Sequence, residues 1–119
     1  MLSKFKKRHS FEDVKAWKLA REFRKSIYKI TKVFPKEELY CLVAQIRRAV
    51  ISIHSNIAEG YGRYSFQENI QFCRVARSSL NEVLDQLYVA LDEAYITQTM
   101  SNILYEDSAF FSLYFMRCN

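Results

Sequence analysis

Apolar residues recur at helical spacing in four segments of the chain. In the first, from about residue 11 to residue 33, gaps of four and three alternate through Ala16, Ala20, Phe23, Ile27, Ile30 and Phe34. In the second, from Pro35 to Glu59, the same alternation joins Leu39, Val43, Ile46, Val50, Ile53 and Ile57. Such spacing puts one apolar stripe on each segment, which is typical of helices that pack side by side.

The third and fourth segments are also predicted to be helices. The third begins at Ser65, with Glu68 three residues later as in a capping box. It carries two apolar seams: Ile70, Cys73, Leu80, Leu84, Leu87, Leu91 and Ala94, and Phe72, Ala76, Ser79, Val83 and Ala90. A single bundle needs about one seam per helix, so the spare seam and the apolar tail from Phe111 to Met116 are candidates for a subunit interface. The fourth helix is predicted from about Thr97 to Arg117, with its apolar stripe at Met100, Ile103, Leu104, Phe110, Phe111 and Tyr114.

The residues between these segments indicate where the helices end. Ser10 is a candidate N-cap of the first helix, and Pro35 fits the first position of the second. Gly60 is placed to end the second helix in a left-handed cap. Because the connections are short, neighbouring helices should run antiparallel. We therefore predict an all-α protein, an antiparallel up-down-up-down four-helix bundle in one domain of residues 11–117, preceded by a flexible basic arm of residues 1–10.

Composition supports this fold class and shows an uneven distribution of charge. Only 2 glycines and 1 proline occur in 119 residues, too few for the turns of a sandwich or barrel. The net charge of +5 divides into +8 for residues 1–32 and −3 for residues 33–119. The basic residues fall in the arm, at Lys4, Lys6, Lys7 and Arg8, and on one face of the first helix, at Lys18, Arg21, Lys25, Lys29 and Lys32.

This basic face has several interpretations. It is a candidate site for the phosphates of RNA or DNA, bound with little sequence preference because lysine contacts to phosphate carry no base information. A solvated helix face would have the same pattern. An acidic protein partner or an anionic membrane surface would also fit the charge.

The sequence offers no catalytic or metal-binding motif. Ser52 and His54 are two residues apart and so lie on different faces of a helix. No Glu is followed by His three residues later, as a di-iron bundle would require. Cys41, Cys73 and Cys118 are odd in number and widely spaced, which favours small buried hydrophobic residues in a reducing cytosol over disulfides or a zinc site. We predict a cytoplasmic non-enzyme without metal, cofactor or membrane span, since no long uncharged apolar run occurs.

A polar stripe crosses the otherwise apolar second helix. It consists of Gln45, Arg48, Ser52, Ser55, Asn56 and Glu59. Such a stripe is either exposed and functional or buried and paired across helices. We favour a buried structural network, with Arg77 and Glu82 on the third helix as candidate partners.

Several runs of this chain resemble one known family. They are Phe34–Glu38, Gln45–Ala49, Ser52–Ile53 and Ser55–Arg63, with Phe11–Trp17 before them and Arg77–Val83 and Ala94–Ile96 after them. Together these runs resemble the four helix bundle proteins named for intervening sequences in 23S rRNA genes. The resemblance covers roughly residues 11–97.

The resemblance implies a bacterial protein that forms an antiparallel four-helix bundle and assembles as a ring-like homopentamer. The family is similar in fold to accessory proteins of diversity-generating retroelements, which bind nucleic acid and a reverse transcriptase. It brings no catalytic residues. The resulting hypothesis is a non-enzymatic homopentameric accessory or scaffold protein that binds RNA or DNA backbones through its basic face. The alternative is a module that docks an acidic protein, such as a reverse transcriptase, without a nucleic-acid role.

Overall fold

Four α-helices make up most of the chain in the computed structural model, which describes residues 11–63 and 65–117. They are α1 (Lys15–Thr31), α2 (Leu42–Tyr61), α3 (Phe66–Asp92) and α4 (Gln98–Arg117). Two short 3-10 turns, Phe11–Asp13 and Lys36–Glu38, precede α1 and α2. The described ranges contain no strand, and the all-α fold class is confirmed.

The helices pack in chain order around one core. The pair α2 and α3 has the most extensive contact, α1 packs against both α2 and α4, and α4 also contacts α3. This order is the predicted up-down-up-down bundle. Every helix supplies fully buried side chains, among them Ile27 of α1, Ile53 of α2, Val83 of α3 and Phe111 of α4.

Most of both apolar seams of α3 is buried inside the single chain, although Ala94 at the end of the first seam is exposed. Cys73 and Leu87 of the first seam and Ala76 and Val83 of the second are each at most 3% exposed. The helix lies between α2 and α4, so it uses one broad face to meet both neighbours. The second seam is therefore not available as a subunit interface, and neither are Phe111 and Phe115 of the predicted apolar tail, which are 1% and 2% exposed.

The start of α2 differs from the prediction. Pro35 precedes the turn Lys36–Glu38, and α2 begins only at Leu42 because Cys41 adopts a non-helical backbone with φ −121° and ψ −99°. Leu39, placed in the predicted apolar stripe, is 48% exposed. The carboxylate of Glu38 accepts a hydrogen bond from the Leu42 backbone N–H at 3.4 Å and another from the Tyr95 hydroxyl at 2.8 Å. Glu38 thus caps α2 and ties its entry to the loop before α4.

The predictions for the other helix ends are confirmed only in part. The α1 helix begins at Lys15 with Val14 as its N-cap, whereas the predicted cap Ser10 lies outside the described residues. Ser65 caps α3 as predicted, accepting a hydrogen bond from the Glu68 N–H at 3.3 Å. The α3 helix ends before Ala94, which takes the left-handed conformation at φ 61°. Its neighbour Tyr95 donates a backbone hydrogen bond to Ala90, so the helix closes in a Schellman motif without glycine.

Gly60 lies inside α2, and the left-handed cap predicted for it is wrong. Neither Gly60 nor Gly62 has a positive φ, and the helix continues to Tyr61. Gly60 is buried where α2 approaches α3 closely. A Cβ atom at this position would lie 2.7 Å from the Asn69 Oδ1 atom and 2.9 Å from the Phe72 Cβ atom. The absence of a side chain is therefore required by packing.

We expect Gly60→Ala to lower the free energy of unfolding by about 2 kcal/mol, a typical cost of overpacking. The Asn69 amide can rotate away, but the Phe72 Cβ atom moves only with the backbone of α3. The matched control is Gly62→Ala, whose Cβ would meet only the Glu59 carbonyl oxygen at 3.7 Å. Urea unfolding of both variants checks this, and equal stability of the two would contradict the packing explanation.

Candidate nucleic-acid interface

The exposed side of α1 carries the basic residues predicted from the sequence. Ala16, Ala20, Phe23 and Ile27 turn toward the core, and successive residues advance by about 100° around the helix. The opposite side therefore carries the predicted set, all of which is exposed: Lys18, Arg21, Lys25, Lys29 and the C-cap Lys32. Exposed Lys15 begins the same helix and was not in the predicted set. We call these six residues the α1 basic face.

Few of these charges are neutralised within the chain. Lys25 forms an ion pair with Glu22 at 3.0 Å, and both side chains are at least half exposed, so the pair contributes little to stability. In residues 11–63 and 65–117, Lys18, Lys29 and Lys32 have no carboxylate within ion-pair distance. Their charges are available to an external anion. The predicted arm residues Lys4, Lys6, Lys7 and Arg8 lie outside the described residues.

Arginine and aromatic side chains contact one another along the flank of α1 that faces α2. The Arg21 guanidinium lies 5.7 Å from the Trp17 ring centroid. The guanidinium groups of Arg24 and Arg47 lie 5.6 Å and 4.5 Å from the centroid of Tyr28. We call Arg24, Tyr28 and Arg47 the arginine–tyrosine cluster. Trp17, Arg21, Arg24 and Tyr28 follow one another at helical spacing. The cluster was nevertheless not predicted from the sequence, because Arg47 belongs to another helix.

Hydrogen bonds hold Arg47 in place. Its Nε atom donates to the Thr31 hydroxyl oxygen at 3.0 Å, and its Nη2 atom donates to the Tyr28 carbonyl oxygen at 3.3 Å. The Thr31 hydroxyl in turn donates to the Ile27 carbonyl oxygen at 2.8 Å. These contacts therefore fix the Arg47 guanidinium group on α1 and leave some of its N–H donors free.

His54 of α2 lies close enough to Arg21 and Arg24 for their charges to act on its ring. Its ring is half-buried and meets the Trp17 ring edge-on, with centroids 6.2 Å apart. Burial first, and then the nearby charges of Arg24 and Arg21, lower the pKa of His54 below its usual value of 6.5. Its Nε2 atom has no hydrogen-bond partner in the described part of the chain.

The lowered pKa of His54 makes folding stability depend on pH. The unfolded chain binds a proton at this residue near pH 6.5 more readily than the folded chain does, so stability is lost as the pH falls through that value. We expect His54→Phe to flatten the decline of the unfolding free energy between about pH 7.5 and pH 5.5. Chemical denaturation across this range measures it. An unchanged pH profile in the variant would contradict the assignment.

The predicted polar network of α2 is smaller than expected. Asn56 Nδ2 donates to the Ser52 carbonyl oxygen at 2.7 Å and to its hydroxyl oxygen at 2.9 Å. The buried Ser79 hydroxyl donates to the Ser52 hydroxyl oxygen at 2.8 Å, which links α2 to α3. The polar contact between α2 and α3 therefore consists of three small side chains, Ser52, Asn56 and Ser79.

The remaining members of that network do not join it. Gln45, Arg48 and Glu59 are exposed, and Glu59 pairs with Arg63 at 3.1 Å. On α3, Arg77 is half-buried, and exposed Glu82 accepts from Gln86 Nε2 at 3.2 Å. The expectation of burial is therefore wrong for five exposed residues, Gln45, Arg48, Ser55, Glu59 and Glu82, whereas Arg77 is half-buried. Polar side chains at the margin of a helix contact extend into water.

Other chemistry has little support in the described residues. They contain no group of three or more His, Cys, Asp or Glu that could hold a metal ion. Within them, no helix has the length and apolar character needed to cross a membrane. Cys73 is buried as predicted, but Cys41 is exposed because it lies in the turn before α2, and Cys118 lies outside the described residues.

Comparison with known proteins identifies the family. No curated protein matches the chain. The family model of the 23S rRNA-intervening sequence protein matches residues 12–112, from the turn before α1 to the last turns of α4. This match extends beyond the segments that carry the sequence resemblance and includes most of α4. With its four helices in the order described above, the chain belongs to the 23S rRNA-intervening sequence protein family.

Proposed function

We propose that this protein is a non-enzymatic, homo-oligomeric helical bundle that binds the backbone of RNA or DNA through the α1 basic face and serves as an accessory or scaffold protein. The observation that carries the proposal is the clustering of exposed cations on one side of one helix. Among the described residues, only Lys25 of that face has an ion-pair partner. Basic residues clustered on one face of a helix are the electrostatic footprint expected of a phosphate-binding surface.

The dimensions of the face fit a nucleic-acid backbone. From Lys18 to Lys32 the helix rises about 21 Å, at 1.5 Å per residue. A strand of duplex DNA carries one phosphate per 3.4 Å of axis, so the face spans about six phosphates of one strand. Lysine and arginine side chains along it can contact several of them. Such contacts orient the nucleic acid without reading bases.

Assembly into a homopentamer is the second part of the proposal. The family resemblance implies it, and α4 offers a surface for it: Ile103, Phe110 and Leu113 are 53%, 66% and 59% exposed. Exposed Glu106 and Asp107 on the same helix would repel phosphates, so another copy of the chain is the better occupant. Five copies would repeat the basic face around a ring and strengthen binding through multivalency.

A salt series tests nucleic-acid binding directly. The purified, nuclease-treated protein is titrated with labelled RNA and duplex DNA between about 50 mM and 200 mM salt, with its native mass measured in the same preparation. Contact with about five phosphates predicts a slope of log affinity against log salt near −4.5 per subunit for duplex DNA. Absence of binding at the lowest salt would overturn the proposal.

An acidic protein partner is the alternative occupant of the α1 basic face. The same unpaired lysines would meet carboxylates, as on the surface of a reverse transcriptase or another enzyme. A complex recovered by affinity capture that persists after nuclease treatment, together with no binding in the salt series, would favour this alternative.

A further inference from the structure

We propose that Arg24 and Arg47, stacked on Tyr28 between α1 and α2, form a phosphate-binding subsite that fixes the position of the nucleic-acid backbone on the protein. This inference rests on the proposed function and adds a defined anchor to it. The ligand group is a phosphate, and we assign its source as the nucleic-acid backbone.

The first support is the arrangement of the two guanidinium groups. Both lie within 6 Å of the Tyr28 ring centroid, Arg24 at 5.6 Å and Arg47 at 4.5 Å, one contributed by each helix. Stacking on the ring restrains the planes of the guanidinium groups. Arg47 is restrained further by its hydrogen bonds to Thr31 and Tyr28.

These contacts leave donors for a ligand. A guanidinium group has five N–H donors, and Arg47 uses its Nε–H and one Nη2–H within the described structure. A planar fork with free N–H groups matches the oxygens of a phosphate in bidentate fashion. The cluster is thus organised before a ligand binds, unlike the flexible lysines beside it.

The second support is a positive charge without compensation. Arg24 and Arg47 are half-buried, yet neither has a carboxylate within ion-pair distance among residues 11–63 and 65–117. Withdrawing a charge from water without a partner is unfavourable. Burial and then the charges of Arg24 and Arg21 lower the pKa of the neighbouring His54, so the positive charge acts on groups beside the cluster. An anion bound here would supply the missing counter-charge.

Position supplies the third support. Arg21 stands between the cluster and the lysines on the exposed side of α1, so the cluster is continuous with the α1 basic face. A backbone that follows the lysines can therefore place one phosphate at the arginine pair. The lysines attract the strand at any register, whereas the fixed pair selects one position for it.

Charge-conserving variants test the subsite. Arg24→Lys/Arg47→Lys keeps the net charge but removes the planar forks, and we expect about tenfold weaker binding of a short single-stranded RNA at fixed salt. The matched control, Arg48→Lys/Arg74→Lys, makes the same type of change at exposed positions of α2 and α3 outside the α1 basic face, and it should bind within about twofold of the unmodified protein. Replacing Arg47 also removes hydrogen bonds that hold α2 on α1. Arg24→Lys alone is therefore the second variant, and it should have the same melting temperature as the unmodified protein.

The His54 ring gives a readout that needs no nucleic acid. Its NMR signals are followed during titration with inorganic pyrophosphate, and a saturable shift is expected in the unmodified protein but not in Arg24→Lys/Arg47→Lys. Tenfold weaker RNA binding together with this loss supports the subsite. RNA affinity unchanged by the double variant overturns the subsite and leaves the proposed function standing. A saturable pyrophosphate shift in a protein that binds no RNA or DNA keeps the subsite and refutes the proposed function.

Discussion

The double variant Lys18→Glu/Lys29→Glu is expected to bind duplex DNA at least about 50-fold more weakly than the unmodified protein at 0.1 M salt. Each phosphate contact contributes about 0.9 to the slope of log affinity against log salt. At 0.1 M salt, one such contact therefore strengthens binding by about eightfold relative to 1 M salt. Two lost contacts therefore give about 60-fold, and repulsion by the new carboxylates adds to it. The slope itself should become shallower by about 1.8.

Lys18 and Lys29 are suitable positions because they lack ion-pair partners in the described structure, whereas Lys25 pairs with Glu22. The matched control is Arg48→Glu/Arg74→Glu, which changes the net charge equally at exposed positions of α2 and α3. If net charge alone governed binding, the two variants would lose the same affinity. That outcome, measured by fluorescence anisotropy over the salt series, would refute the α1 basic face as the binding surface.

The variant Phe111→Ala is expected to lower the free energy of unfolding by about 3–5 kcal/mol, the usual cost of removing a buried phenylalanine ring. Phe111 is 1% exposed and fully enclosed in the core. Its ring lies 5.4 Å from that of Phe23 on α1 and 6.2 Å from that of Phe115, measured between centroids. A loss of this size is a large part of the 5–15 kcal/mol that stabilises a typical domain.

Phe110 offers a control one residue away. It is 66% exposed, so Phe110→Ala leaves the core unchanged and should retain the helix content seen by far-UV circular dichroism. In the proposed assembly, however, it should reduce the native mass, because Phe110 belongs to the exposed apolar surface of α4. Comparable loss of helix content in both variants would contradict the assignment of Phe111 to the core and Phe110 to the surface.

The sequence alone determined the fold class and the side of α1 on which the positive charge lies. Alternating gaps of three and four place apolar residues on one side of a helix whatever it packs against, so Ile27, Ile46 and Ile53 could be assigned to the core. The same periodicity set Lys18, Lys25 and Lys29 on the opposite side of α1. Local hydrogen bonding likewise made the Ser65 cap predictable from a four-residue pattern.

Only the tertiary structure decided which residues of different helices meet. Gly60 looked like a helix end, but the approach of Asn69 and Phe72 on α3 explains why it has no side chain. Arg47 joins Tyr28 across 19 residues of chain, and Ser79 joins Ser52 across 27. Periodicity gives the helix face on which a residue lies. It gives neither how deeply the residue is buried nor which residue of another helix it contacts. Those depend on how the helices are packed, which no local pattern encodes.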